Sequence, residues 1–156
     1  MEEKILYEEK QRTYLVFYGL LIVVILIEVL AIAIQLIIAD GIIEAVPSLA
    51  LSFIILAGLT FILVNFFFLR LRISDKEFKI SYGIFRLRIP RETISNCQPT
   101  TFSWKTYFGW GIRPGFDKTF AWTSKGSKGI RVETKGRTFV ISTGNAKKIC
   151  EVLGEG

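Results

Sequence analysis

From Tyr14 to Ala39 the chain is almost unbroken in apolar side chains, with only Glu28 and Gln35 strongly polar. As a helix this stretch would be about 39 Å long, against a hydrocarbon core of about 30 Å, so it can cross a bilayer with some tilt. A second run, Ser48 to Leu69, has only Ser48, Ser52, Thr60 and Asn65 as polar positions. Gly41 and Pro47 punctuate the residues between, and Pro47 suits the start of a helix. The pattern predicts a flank at 1–13, transmembrane helices at 14–39 and 48–69 with an outer loop at 40–47, and a domain over 70–156. Ala31-Ile32-Ala33 also fits the cleavage site of a signal peptide, which would leave one span. Against this, the apolar run continues past Ala33 and Glu28 interrupts it.

After Leu69 the period becomes two. Leu71 and Ile73 alternate with Arg70 and Arg72; Phe78, Ile80 and Tyr82 with Lys79 and Ser81; Phe85, Leu87 and Ile89 with Arg86 and Arg88. Ser74–Glu77, Gly83 and Pro90 bound these three strands. Further strands are predicted at 94–98, 107–113, 119–123, 130–134 and 137–142. Ala146, Ile149, Cys150 and Leu153 then follow helical spacing, with Thr143 or Asn145 able to cap the start and Gly154 to stop the end. About seven short strands and one closing helix predict a mainly-β domain, a small barrel or sandwich with a helical plug.

Charge adds topology. Of 156 residues, the first 69 hold 3 Lys+Arg and 7 Asp+Glu, and the remainder 17 and 7. Lys4, Lys10 and Arg12 precede the first span, Arg70 and Arg72 follow the second, and the connection has no cation, so both ends are expected in the cytoplasm of a multi-pass membrane protein. Cys97 and Cys150 are expected there as free thiols serving as packing residues. The chain has no His. That removes His-based acid–base and nucleophilic chemistry and His-ligated metals. The carboxylates fall mostly at turns and the tail with no metal-triad spacing, and no phosphate-binding glycine motif occurs. No enzyme activity, metal or cofactor is expected.

The series Leu71-Arg72-Ile73 through Pro90-Arg91-Glu92-Thr93-Ile94 resembles the opening of bacterial pleckstrin-homology-like domains. Gly109-Trp110-Gly111-Ile112-Arg113 resembles their glycine–tryptophan core motif, and Gly129–Val132 with Arg137–Thr143 their last hairpin. Many such proteins carry two membrane helices before the domain. The resemblance implies a PH-like fold, a partly open seven-stranded barrel capped by a C-terminal helix. Lys79 with Arg86-Leu87-Arg88 also resembles an inositide-binding signature of eukaryotic relatives, although Tyr82-Gly83 makes a tight turn where those have a longer loop.

Two sets of residues are candidates for function. Arg70, Arg72, Lys79, Arg86, Arg88 and Arg91 form a basic group near the membrane exit, suited to anionic headgroups, while the positive-inside bias alone would also place cations there. Glu28 is an ionisable group deep in a span, either an ion or proton site or a protonated acid bonded within the membrane. Dispersed charge and the absence of a recognition motif argue against nucleic acid. The expected function is a membrane-anchored, non-catalytic binding or assembly module that presents a protein-binding or self-association surface and contacts the lipid bilayer. The alternative is a small membrane regulator or ion-linked homo-oligomer organised by Glu28.

Overall fold

The computed structural model describes residues 4–13, 15–38, 42–107, 111–115 and 118–154. In chain order the elements are strand β1 (Ile5–Arg12), helices α1 (Leu15–Ile38) and α2 (Ile42–Asn65), strands β2 (Phe68–Ser74), β3 (Glu77–Tyr82), β4 (Phe85–Pro90) and β5 (Ile94–Thr101), the short helix α3 (Trp104–Tyr107), strands β6 (Gly111–Pro114), β7 (Thr119–Thr123), β8 (Lys128–Thr134) and β9 (Thr138–Ser142), and helix α4 (Ala146–Gly154). The chain forms two units, a helical one (Tyr14–Asn65) and a β-rich one assembled from Met1–Thr13 and Phe66–Gly156.

In the helical unit, α1 and α2 are each 24 residues, about 36 Å, and both are long and apolar enough to cross a membrane. Most of their large apolar side chains are exposed, as lipid-facing residues would be. Between the helices Tyr18, Leu21 and Ile32 are buried, and Gln35 Nε2 donates to Ser52 Oγ at 3.3 Å. The second helix differs from the expected 48–69. It begins at Ile42 with Pro47 inside it, and it stops at Asn65, whose Nδ2 donates back to the Phe61 carbonyl. The apolar run continues past that stop because Phe66 leaves the helix to pack on Tyr82 and Phe85, with ring centroids 5.4 and 5.5 Å away.

The β-rich unit holds two open sheets, ordered β1-β2-β3-β4 and β5-β8-β9-β7-β6. Alternation sends Leu69, Leu71, Ile73, Phe78, Ile80, Tyr82 and Ile89 inward from the first sheet, and Trp122, Ile130, Val132, Phe139 and Ile141 inward from the second, into one core. Tyr82 joins the sheets by stacking on Trp122 and donating its hydroxyl to the Thr123 carbonyl at 2.7 Å. Helix α4 packs on β5 and β8 through Ile149 and Leu153. On the other face of the second sheet, Phe102, Tyr107, Ala121 and Val140 form a smaller cluster.

The architecture is therefore a helical hairpin with a two-sheet β domain and a C-terminal helix. The expected partly open barrel of about seven strands is corrected: the described residues form nine strands in two sheets that do not close. The additional strand is β1, and two further departures accompany it. Strand β7 pairs parallel with β9, which inserts the β6–β7 hairpin at one edge. The expected strand at 107–113 instead starts in α3, whose Tyr107 hydroxyl lies 2.9 Å from Thr119 Oγ1, and resumes as β6. Gly109 and Trp110 of the glycine–tryptophan motif, and Asp40 and Gly41 of the connection, lie outside the described residues.

Two further expectations are corrected. The N-terminal flank is mostly a strand: β1 pairs antiparallel with β2, Arg12 opposite Phe68 and Glu8 opposite Arg72. The helical hairpin is thus inserted between two neighbouring strands of one sheet. Thr13 fastens the two crossing peptides together, its N–H donating to the Phe67 carbonyl at 3.2 Å and its Oγ1 to the Phe66 carbonyl at 2.8 Å. The cysteines are not free thiols. Cys97 of β5 and Cys150 of α4 are joined in a disulfide with Cα atoms 5.3 Å apart, because the apolar face of α4 sets Cys150 directly over β5. Both still pack against the core.

Candidate functional site

Strand pairing places the basic residues in rows across the outer face of the first sheet. Lys10, Arg70, Ser81 and Arg86 lie opposite one another on β1 to β4, and Glu8, Arg72, Lys79 and Arg88 form the next row. Rows two residues apart on a strand are about 7 Å apart. The face exists because the same alternation that buries Leu71, Ile80 and Ile89 turns these polar neighbours outward. Arg12, at the end of β1, and Lys10 both sit over the ring of Phe68, with Lys10 Nζ 3.7 Å from its centroid.

The two rows differ in charge. In the second, Arg72 pairs with Glu8 at 3.2 Å and Lys79 with Glu77 at 2.7 Å. In the first, no acid pairs with Lys10, Arg70 or Arg86 among the described residues. The first row is also the one nearer Thr13 and Phe67, where the chain leaves for its two helices. Excess positive charge therefore rises toward the end of the sheet from which the chain enters its two apolar helices. Arg91 stands apart from both rows. Its guanidinium donates to the Val152 carbonyl at 2.6 Å and reaches the carbonyls of Leu153 and Ser74 at 3.5 Å, so it caps the C-terminal end of α4. Glu28 is half-buried in α1 with no hydrogen bond or ion pair among the described residues.

Comparison of the chain with family models, with curated proteins and with solved structures finds no match. Function has to be argued from the surface itself. Cations close to an anionic leaflet contribute about 1 kcal/mol each, and the attraction fades within a Debye length. A row about 7 Å further back, and partly neutralised, contributes less.

One polar cluster has no counterpart in the sequence patterns. On the inner side of β1, the Glu9 carboxylate accepts hydrogen bonds from Tyr7 OH (2.8 Å), Gln11 Nε2 (2.8 Å), Thr143 Oγ1 (2.6 Å) and the Gly144 N–H (3.1 Å). Gln11 extends the network to the Ser142 carbonyl and, through its Oε1, to Ser124, whose N–H and hydroxyl meet Ser142 Oγ. Gln11, Ser124, Ser142 and Thr143 are buried. Burial, and then the hydrogen bond to Glu9, push the Tyr7 phenol up to about 12. The cluster latches the N-terminal strand to the start of α4 and to the β7–β8 connection. Its donors are all spoken for within the fold, which marks it as a structural device.

Proposed function

We propose that this chain is a membrane-anchored, non-catalytic binding module of PH-like type whose β domain stands at the bilayer surface with its first sheet end-on, so that the helix-attached end of its cationic outer face meets anionic headgroups. The observation that carries the reading is the charge gradient: the row Lys10–Arg70–Arg86, with no acid partner among the described residues, is nearest the residues that lead into the helices. The row further away is partly neutralised by Glu8 and Glu77, which leaves Arg88 as its one cation without an acid partner among the described residues. Two sheets with a C-terminal helix support a PH-like likeness, while the parallel β7–β9 pair departs from a simple meander. Pairing of β1 with β2 puts both strands on one side of a membrane that the hairpin crosses. The Lys/Arg excess favours the cytoplasmic side, whereas the Cys97–Cys150 disulfide is a bond that a reducing compartment disfavours. The same face, or a free sheet edge, is available to an acidic protein partner or a second copy.

The test uses the full chain with its disulfide intact and Ser81→Cys, at the centre of the first row, labelled with an environment-sensitive dye. The protein is reconstituted in vesicles of phosphatidylcholine with or without phosphatidylglycerol, with a nitroxide on a fraction of the headgroups. Quenching that needs the anionic lipid and is relieved by about 0.5 M salt is expected. Emission indifferent to both lipid charge and salt would sink the headgroup contact.

A further inference from the structure

Besides cations, the crossing end of the first sheet carries an apolar point. Leu69 pairs with Tyr82, and Tyr82 with Phe85, so the β3–β4 turn lies at the end of the sheet where β1 stops and β2 begins. Gly83 takes the left-handed conformation (φ 50°) that closes this tight turn. The turn leaves Ile84 65% exposed and Phe85 38% exposed, with the Phe85 ring 5.5 Å from Phe66 of the connecting peptide. Single exposed apolar residues are ordinary on a soluble surface. The position of this pair sets it apart. Ile5 and Leu6, the other exposed large apolar side chains among the described residues of the domain, lie at the start of β1, at the opposite end of the sheet.

We infer that Ile84 and Phe85 form a third membrane contact, an apolar tip that enters the interfacial layer of the bilayer. Three observations converge. Short connectors hold this end of the sheet close to the bilayer: Arg12 is three residues before Leu15, and Phe68 three residues after Asn65, a reach of about 10 Å at most. Second, the turn that carries the tip is at that same end. Third, Arg86, level with Arg70 and Lys10, is two residues behind Ile84, about 7 Å along the strand. The headgroup layer of one leaflet is about 6 Å thick. A tip at the acyl boundary therefore sets the unneutralised row at the level of the lipid phosphates. An apolar side chain leading a cationic band is the arrangement of interfacial anchors. The inference rests on the domain lying at the bilayer surface, and it adds an apolar contact to the electrostatic one.

The experiment uses the full chain with its native disulfide and Ile84→Cys labelled with NBD. Lys76→Cys, in the turn at the opposite end of the sheet, is the reference. Vesicles of phosphatidylcholine, with and without phosphatidylglycerol, carry a nitroxide on carbon 5 of the acyl chain. Label at 84 should be quenched by that lipid, and shielded from aqueous iodide, at least about twofold more than label at 76. Quenching confined to the anionic vesicles also supports the tip, with the cations needed to seat it. Quenching at 84 with an unresponsive Ser81 probe keeps the tip and overturns the headgroup contact. A responsive Ser81 probe with no quenching at 84 overturns the tip alone. Silence at both positions overturns both.

Discussion

Joining Cys97 to Cys150 fastens α4 to the edge strand β5, and the sequence separation sets the expected gain. The two residues are 53 positions apart. Closing a loop of that size removes about 14 cal/mol/K from the unfolded chain, or about 4 kcal/mol at 25 °C. That is a large share of the 5–15 kcal/mol that holds a typical domain together. Without the bond, α4 keeps the buried Ile149 and Leu153 and the Arg91 contacts at its C-terminal end, so the domain should still fold but unfold more readily. The comparison is the full chain in detergent micelles, oxidised, reduced with a phosphine, and as the Cys97→Ser/Cys150→Ser variant. Urea unfolding would be followed by tryptophan emission, to which Trp122, buried against Tyr82, contributes along with Trp104 and Trp110. At a slope of about 1.5 kcal/mol per M, the midpoint should fall by between about 2 and 3 M on reduction. The double variant should match the reduced protein. Equal midpoints with and without reductant would refute the reasoning. So would two alkylatable thiols in the protein purified without reductant.

Three other perturbations probe the interior of the β domain. Glu9→Ala deletes the acceptor of four hydrogen bonds and should cost about 3 kcal/mol, with the amides of β1 exchanging before those of β2 in hydrogen-exchange mass spectrometry. Gly129→Ala drives a methyl group against the Ile141 carbonyl and to 3.0 Å from the Phe102 ring; a loss of about 3 kcal/mol is expected in the same urea assay. Tyr7 titrates at about 12 when folded, against 10.0 in the free side chain. Its neutral form is favoured in the fold, so its contribution is complete below pH 10 and lost as pH rises from there through 12. Thermal melts across that window should show a decline in the wild type that is shallower in Tyr7→Phe, the remainder coming from the lysines and other tyrosines that titrate in the same range.

Some of this structure follows from residue patterns and some does not. The inward triplets of β2 and β3 and the 146–153 face of α4 are visible because each buries apolar side chains at one period. Strand β1 is not visible, because its inward positions are Tyr7, Glu9 and Gln11. It buries polar groups against polar partners at 142–145, more than 130 residues away, and no local pattern records that. The end of α2 is hidden for the opposite reason: Phe66, Phe67 and Phe68 continue the apolar run although the helix has stopped, since those rings serve the β domain. The cation face is half legible. Alternation marks Arg70, Arg72, Lys79, Arg86 and Arg88 as outward, but only the folded structure shows that Lys10 and Arg12 join them, that acids partly neutralise one row, and that Arg91 belongs to a helix cap. The disulfide is a meeting of a helix face and a sheet edge, which the spacing of two cysteines cannot reveal.

The insertion of the helical hairpin between β1 and β2 ties biogenesis to folding. Residues 5–12 leave the ribosome before residues 68–74, so on the proposed topology β1 has no partner strand until the chain has crossed the bilayer, returned and delivered β2 to the same side. A chain whose second span failed to insert would strand these two halves in different compartments. The domain would then present the bare edge of β2, with the donors at Thr143 and Gly144 lacking their carboxylate. Exposed edges and orphaned polar groups invite pairing with other chains and attack by proteases. On the proposed topology, sheet closure at β1 would therefore report correct membrane insertion, and a misrouted chain would expose the edge of β2 to the cell's quality control.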